Sequence, residues 1–339
     1  MSAPRIPQEL LDGILHELQS DTRTLQKCAV VARCFLPSSQ RLIFSRIYLD
    51  TSGSGLISCQ NLRTVLLRSP HLIEYAEALY LQLRPQTRNW NNQSNILADT
   101  LSMLSYLHSF RLSGSTAWSS LPDTHRHAIY RMFSLSSIYS VSVTGIRGFP
   151  LSIFTRCNQL MHIYINDVIV GLSVDPVPAI QDNLLPDSIL PKAKGHLTTL
   201  SGGEGESGAI ATRALVQCLV HPHSSLSLSA LRHFTAAVRS DEDVTTYQTV
   251  IHSSRRSLES LSLSVDCKGE SESLERIILT RFFSARSAGL DRYRTAVKFA
   301  PSIYNHLRES VFIGMVVTLA IWGFEHKHDP GSRYYCILL

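Results

Sequence analysis

Two copies of one apolar pattern, separated by a helix-like segment, lie within residues 104–146, LSYLHSFRLSGSTAWSSLPDTHRHAIYRMFSLSSIYSVSVTGI. The first copy consists of Leu104, Leu107, Phe110 and Leu112. The second consists of Leu135, Ile138, Val141, Val143 and Ile146. The alternating end of each copy is typical of a strand, because successive side chains of a strand point to opposite faces. Residues 125–133, between the two copies, are typical of a helix.

The pattern recurs elsewhere, which indicates an irregular repeat. Other copies are Leu79, Leu81 and Leu83; Leu160, Ile163, Ile165 and Val168; and Leu258, Leu261 and Leu263. A strand followed by a helix at a period of roughly 20 to 30 residues is typical of a leucine-rich-repeat solenoid. The period varies and the asparagine of regular repeats is missing. We therefore predict an α+β chain whose middle is a degenerate leucine-rich-repeat-like α/β solenoid with its strands side by side in one parallel sheet.

Three short helices are predicted between Pro7 and Phe44, packed as a unit separate from the repeats. Pro7 can begin a helix, and Leu10, Ile14 and Leu18 then recur every four residues. About 45 residues form only a small core. The apolar stripes are wider than three helices need, which favours docking to a partner. The alternative is a helical cap on the domain that follows.

The same residues resemble a known family. Residues 6–11, IPQELL, resemble the Leu-Pro-x-Glu-Leu-Leu opening of F-box domains, and residues 28–39, CAVVARCFLPSS, resemble the second half of that motif in basidiomycete fungi. In that family a tryptophan usually stands at the position of Phe35. The segments around Trp118 to Pro122, SLSSI and SLESLSL are also similar to the fungal F-box family. The resemblance runs from Ile6 to about Val265.

The resemblance implies a substrate receptor of an SCF-type cullin ubiquitin ligase, with no catalysis of its own. An F-box domain over residues 1–50 would dock to a Skp-family adaptor and through it to a cullin. Residues 51–285 would bind an unknown protein substrate, and residues 286–339 form an atypical tail. The residues implied in adaptor binding are Ile6, Pro7, Glu9, Leu10, Leu11, Ile14, Leu18, Cys28, Val31 and Phe35. The alternative is a leucine-rich-repeat interaction protein without a ligase role.

Composition and motifs argue against other classes of function. The net charge of +5 comes without long basic runs, so no nucleic-acid partner is expected. The seven cysteines form no CxxC pair, and HxH pairs at 125–127, 221–223 and 326–328 are interpreted as solvated loops, so no metal is expected. The GxGxxG stretch at 203–208 lacks an acidic residue about 20 positions on, so we interpret it as an exposed loop and expect no cofactor. The polar N-terminus favours a cytoplasmic or nuclear location.

The tail contains two further signals. Val311 to Phe324 is an apolar run of 14 residues, shorter than the roughly 20 that a membrane-spanning helix needs. The chain ends in Cys336-Ile337-Leu338-Leu339, which matches a CaaX box. Prenylation of Cys336 would allow membrane association, whereas a tail without that modification would leave a soluble receptor.

Overall fold

A computed structural model of the chain describes residues 7–84, 90–169, 194–265, 294–299, 319–320 and 334–338. The chain forms two compact units, Met1–Val141 and Ser142–Leu339. Each unit contains both strands and helices.

The first unit begins with three helices, as predicted: α1 (Gln8–Glu17), α2 (Thr22–Val31) and α3 (Leu36–Phe44). Asp21 caps α2 by accepting a hydrogen bond from the backbone N–H of Thr24 at 3.1 Å. Helix α3 packs against α1, against α2 and against the strand that follows it. The packing of the three helices as a unit separate from the repeats stays a prediction.

The rest of the first unit alternates strands and helices. These are β1 (Arg46–Asp50), α4 (Gly53–Arg68), β2 (Ala78–Leu83), α5 (Trp90–Met103), β3 (Ser109–Gly114) and α6 (Asp123–Phe133). Short 3-10 helices cover Pro70–Tyr75 and Trp118–Ser120. Strand β2 pairs in parallel with β1 and with β3, and one face of these strands is fully buried, including Leu79, Leu81 and Phe110. Helix α5 packs against α4 and α6.

The second unit contains a larger set of strands. In chain order its elements are β4 (Ser140–Thr144), which begins at the boundary, β5 (His162–Asn166), β6 (Gly195–His196), β7 (Thr199–Gly202), α7 (Glu206–Val220), β8 (Leu226–Ser227), β9 (His233–Val238), α8 (Asp241–Ser254), β10 (Ser260–Val265), β11 (Arg294–Phe299), β12 (Leu319–Ala320) and β13 (Tyr334–Leu338). Further 3-10 helices cover Leu151–Arg156 and Leu228–Ala230.

Parallel pairing joins β5, β7, β9, β10 and β11 of the second unit in that order. Strand β13 is antiparallel to β11 and to β12, while β6 and β8 form a separate parallel pair. The described residues are thus mixed α/β with mostly parallel strands, which is compatible with the predicted α+β class. Each predicted strand, from Leu79–Leu83 to Leu261–Leu263, lies in an observed strand. The F-box and solenoid assignments stay predictions.

Helix α8 begins with a buried polar cap. Ser240 and Asp243 form a capping box, in which Asp243 Oδ2 accepts the backbone N–H groups of Ser240 at 3.0 Å and Arg239 at 2.9 Å. Asp243 is only 2% exposed, and its other oxygen lies 3.4 Å from Nη1 of Arg213 on α7. This carboxylate therefore links the start of α8 to α7.

Two sequence interpretations are corrected by the fold. The GxGxxG stretch is not an exposed loop, because it runs from the end of β7 into the first turn of α7, with Gly203 and Gly208 buried. His125 and His127 lie in α6 rather than in a loop, with His125 buried. Of the apolar run at 311–324, only Leu319–Ala320 is described.

Candidate docking surface on the N-terminal helices

Helix α1 carries two apolar rows, of which one is buried and the other is exposed. Leu11 and Leu15 are 8% and 1% exposed, so this row packs into the protein. Leu10 and Ile14 stand one position earlier in each turn and are 60% and 59% exposed. Residues four apart lie above one another on a helix, so Leu10 and Ile14 form a continuous outward row.

Helix α2 ends in a second exposed apolar pair. Its buried contact is Leu25, which is fully enclosed, whereas Val30 and Val31 are 84% and 73% exposed. Leu36, at the start of α3, is also exposed. We call Leu10, Ile14, Val30 and Val31 the docking surface, since exposed apolar side chains can form protein interaction sites.

Hydrogen bonds connect helix α1 to the residues that follow α2. Nε2 of Gln8 donates to the backbone oxygen of Cys34 at 3.2 Å and to Oδ1 of Asp12 at 2.8 Å. The hydroxyl of Ser38 also donates to Asp12, and this hydrogen bond lowers the pKa of the Asp12 carboxyl. The first turn of α1 is thereby tied to the segment between α2 and α3.

The implied adaptor-binding residues differ in their accessibility. Pro7, Glu9, Leu10, Ile14 and Val31 are exposed. Leu18, Cys28 and Phe35 are half-buried. Leu11 is buried, so its side chain supports α1 from inside and is not available for direct contact with a partner in this conformation. Ile6 lies outside the described residues, and adaptor binding by any of these residues stays a prediction.

Val30 is not among the binding residues predicted from the sequence, although it is the most exposed residue of the docking surface. The signal that could have found it is its position beside Val31 in the last turn of α2, where the apolar stripe of the helix widens beyond its buried side.

The glycine-rich turn after β7 has a packing role. A Cβ at Gly203 would lie 2.3 Å from Oδ1 of Asn166, and one at Gly208 would lie 2.2 Å from the backbone oxygen of Gly203. Gly205 adopts a φ of +90°, which favours glycine. These glycines let α7 start close against the ends of β5 and β7. Glu204, which is exposed in this turn, disfavours the pyrophosphate that a dinucleotide would bring.

Other sequence signals yield no assembled site in the described part of the chain. Among these residues, no group of three or more His, Cys, Asp or Glu side chains could hold a metal ion. His221 and His223 lie in an exposed turn, as expected for that pair. No helix within the described ranges has the length and apolar character needed to cross a bilayer.

Cys336 lies in β13, where it is paired with Val297 of β11. A prenyltransferase binds a free, extended C-terminus, so residues 334–338 would first have to leave this pairing. Modification of Cys336 stays a prediction with that condition attached.

A comparison with models of known protein families and with curated proteins gave no match for this chain.

Proposed function

We propose that this chain is an F-box-type substrate receptor, which docks to a Skp-family adaptor through α1 and α2 and has no catalytic role. The observation that carries the proposal is the double row of α1: Leu11 and Leu15 are buried, whereas Leu10 and Ile14 remain exposed. An apolar row in water is unfavourable unless a partner covers it, and burial stabilises such a complex by about 25 cal/mol per Å².

Two further features support the proposal. The Leu-Pro-x-Glu-Leu-Leu-like segment, residues 6–11, includes the first turn of α1, so the resemblance and the exposed row coincide. The strands and helices that follow are the framework on which, in this proposal, a protein substrate is recognised. In this proposal the adaptor connects the chain to a cullin scaffold, and the substrate binds elsewhere on the chain.

A binding assay with a purified Skp-family adaptor tests the proposal. Leu10 and Ile14 have about three-fifths of their surface still to bury, so covering each is worth about 1 to 2 kcal/mol. The double variant Leu10→Glu/Ile14→Glu should therefore weaken binding by about 30-fold or more, since each 1.4 kcal/mol is tenfold and a buried charge adds to the loss.

Helix α4 supplies a matched control. Ile57 and Leu67 are 60% and 59% exposed, which equals the exposure of Leu10 and Ile14. The variant Ile57→Glu/Leu67→Glu makes the same chemical change and should keep wild-type affinity. Equal loss in both double variants, or wild-type binding by Leu10→Glu/Ile14→Glu, would refute docking through α1.

A leucine-rich-repeat interaction protein without a ligase role is the second candidate. It is favoured by an outward cluster of tyrosine and arginine on β1–β3, which could recognise a partner without any adaptor. A folded wild-type chain that fails to bind the adaptor would support this candidate instead.

A further inference from the structure

Three side chains form a ladder across the outward face of the first unit's strands. Tyr48 on β1 is in register with Tyr80 on β2, which is in register with Arg111 on β3. The neighbours of each in its strand, such as Leu79 and Leu81, point to the buried face. The ladder therefore stands on the side of β1–β3 that is opposite the core.

The ladder is closely stacked. The rings of Tyr48 and Tyr80 lie 4.5 Å apart at an interplanar angle of 12°, and Cζ of Arg111 lies 5.2 Å from the centroid of Tyr80. Because Tyr48 and Arg111 come from the strands on either side of β2, Tyr80 is enclosed between them. Stacking fixes the Arg111 guanidinium while its N–H edge stays available for an acceptor.

The positive charge of this face is not neutralised locally. Arg46 lies two residues before Tyr48 on β1 and so faces the same way, and both Arg46 and Arg111 are exposed. Neither makes an ion pair with a carboxylate among the residues that the structure describes. Asp50, on the same face, is already engaged by Nε of Arg84 at 3.1 Å.

We propose that this face of β1–β3 binds an acidic, extended segment of a partner protein. One carboxylate of the segment would pair with Arg111 and another with Arg46, since a guanidinium group forms bidentate hydrogen bonds with a carboxylate. A flat or apolar side chain would pack on Tyr48, which is 67% exposed. Tyrosine and arginine are also the residue types that dominate the energy of protein interfaces.

The geometry favours a protein segment over single-stranded nucleic acid. Bases need free ring faces for stacking and a continuous basic groove for the phosphates. Here Tyr80 is enclosed on both sides, and the Asp50–Arg84 pair interrupts the positive charge. If the chain is a substrate receptor, the acidic segment belongs to the substrate, but the binding itself requires no adaptor.

Fluorescence anisotropy on the purified full chain, without adaptor, tests the proposal. The probe is a labelled twelve-residue peptide in which glutamate alternates with serine around one central phenylalanine. Its counterpart carries glutamine in place of every glutamate, and a labelled oligouridine is the nucleic-acid arm. We expect the acidic peptide to bind at least tenfold tighter than the glutamine peptide.

Variants localise the binding. Arg111→Glu should weaken binding of the acidic peptide at least tenfold, Arg46→Glu should also weaken it, and Arg111→Lys should retain part of it. Arg131→Glu on α6 makes the same charge change at an exposed arginine and should bind as the wild type does. Thermal unfolding of each variant verifies that it is folded, and Arg46→Glu replaces Arg111→Glu if the latter is not.

The proposal is overturned if acidic and glutamine peptides bind equally or not at all. Wild-type affinity in folded Arg111→Glu and Arg46→Glu would overturn it too. So would binding of oligouridine that depends on Arg111 without binding of the acidic peptide, since the face would then recognise nucleic acid. Because no adaptor is present, none of these outcomes depends on whether α1 docks to one.

Discussion

Leu10 and Leu11 are adjacent leucines in different environments. Substitutions at these two positions can therefore distinguish a contribution to the stability of the fold from a contribution to adaptor binding. Leu11 is 8% exposed and Leu10 is 60% exposed. Truncation of each to alanine removes the same atoms from two different environments. We expect Leu11→Ala to destabilise α1 and Leu10→Ala to leave it intact.

The magnitudes follow from burial. Replacing a buried leucine by alanine costs about 2 to 5 kcal/mol, and a position in the first helix of the chain belongs near the lower end, at about 2 to 3 kcal/mol. An exposed substitution costs within about 0.5 kcal/mol. With each 1.4 kcal/mol equal to a factor of ten, Leu11→Ala should raise the population of opened α1 roughly 30- to 140-fold.

Hydrogen exchange measured by mass spectrometry reads this population directly, because amides of a helix exchange when the helix opens locally. Peptides that cover Gln8–Glu17 should exchange about 30-fold faster or more in Leu11→Ala, and within about threefold of wild type in Leu10→Ala. Adaptor affinity should fall in Leu10→Ala even though its exchange is unchanged.

Equal acceleration of exchange in the two variants would refute the reasoning, because Leu10 would then be part of the core. So would unchanged exchange in Leu11→Ala. The first result would also remove the exposed row on which the docking surface depends.

Three further predictions concern the second unit and the backbone. Asp243→Ala should lower the free energy of unfolding in urea by about 2 to 3 kcal/mol, because two part-buried N–H donors lose their acceptor. Asp241→Ala, at an exposed position, should cost under about 0.5 kcal/mol, and equal losses in the two variants would contradict the capping role. Gly203→Ala should reduce the melting temperature, because the new Cβ would clash with Asn166. Gly13→Ala places its Cβ where no atom lies within 4 Å, so it should stabilise α1 by about 0.5 to 1 kcal/mol. An unchanged melting temperature in Gly203→Ala would contradict the close packing at this glycine. Burial raises the pKa of the Cys157 thiol to about 12, so iodoacetamide at pH 8 should label this cysteine only after the chain unfolds. The stability that the protonated thiol contributes should be lost as pH rises from about 8.5 through about 12. Rapid labelling of Cys157 in the folded chain would contradict this prediction.

Much of the strand arrangement was predictable because alternation reports burial directly. Leu79, Leu81 and Leu83 alternate with polar or half-exposed residues, and all three are fully buried in β2. Strand β1 carries the same signal at Ile47 and Leu49 in only five residues, which is too short to stand out beside the helices before it. The prediction of an exposed loop at 203–208 is wrong for a different reason, since Asn166, the neighbour of Gly203, comes close to it only in the folded chain.

In the candidate sites, too, some features follow from local sequence and others depend on tertiary packing. The apolar residues of α1 and the three helices of the first segment are local properties, and the sequence alone determines them through spacing and helix starts. Which of two adjacent leucines is buried depends on where α3 lies against α1, so only the tertiary structure decided that Leu11 is inside and Leu10 outside. The ladder of Tyr48, Tyr80 and Arg111 joins residues up to 63 positions apart and exists only because parallel register brings β1, β2 and β3 side by side. Local patterns are determined by neighbours in sequence, whereas contacts between distant residues depend on how whole elements pack.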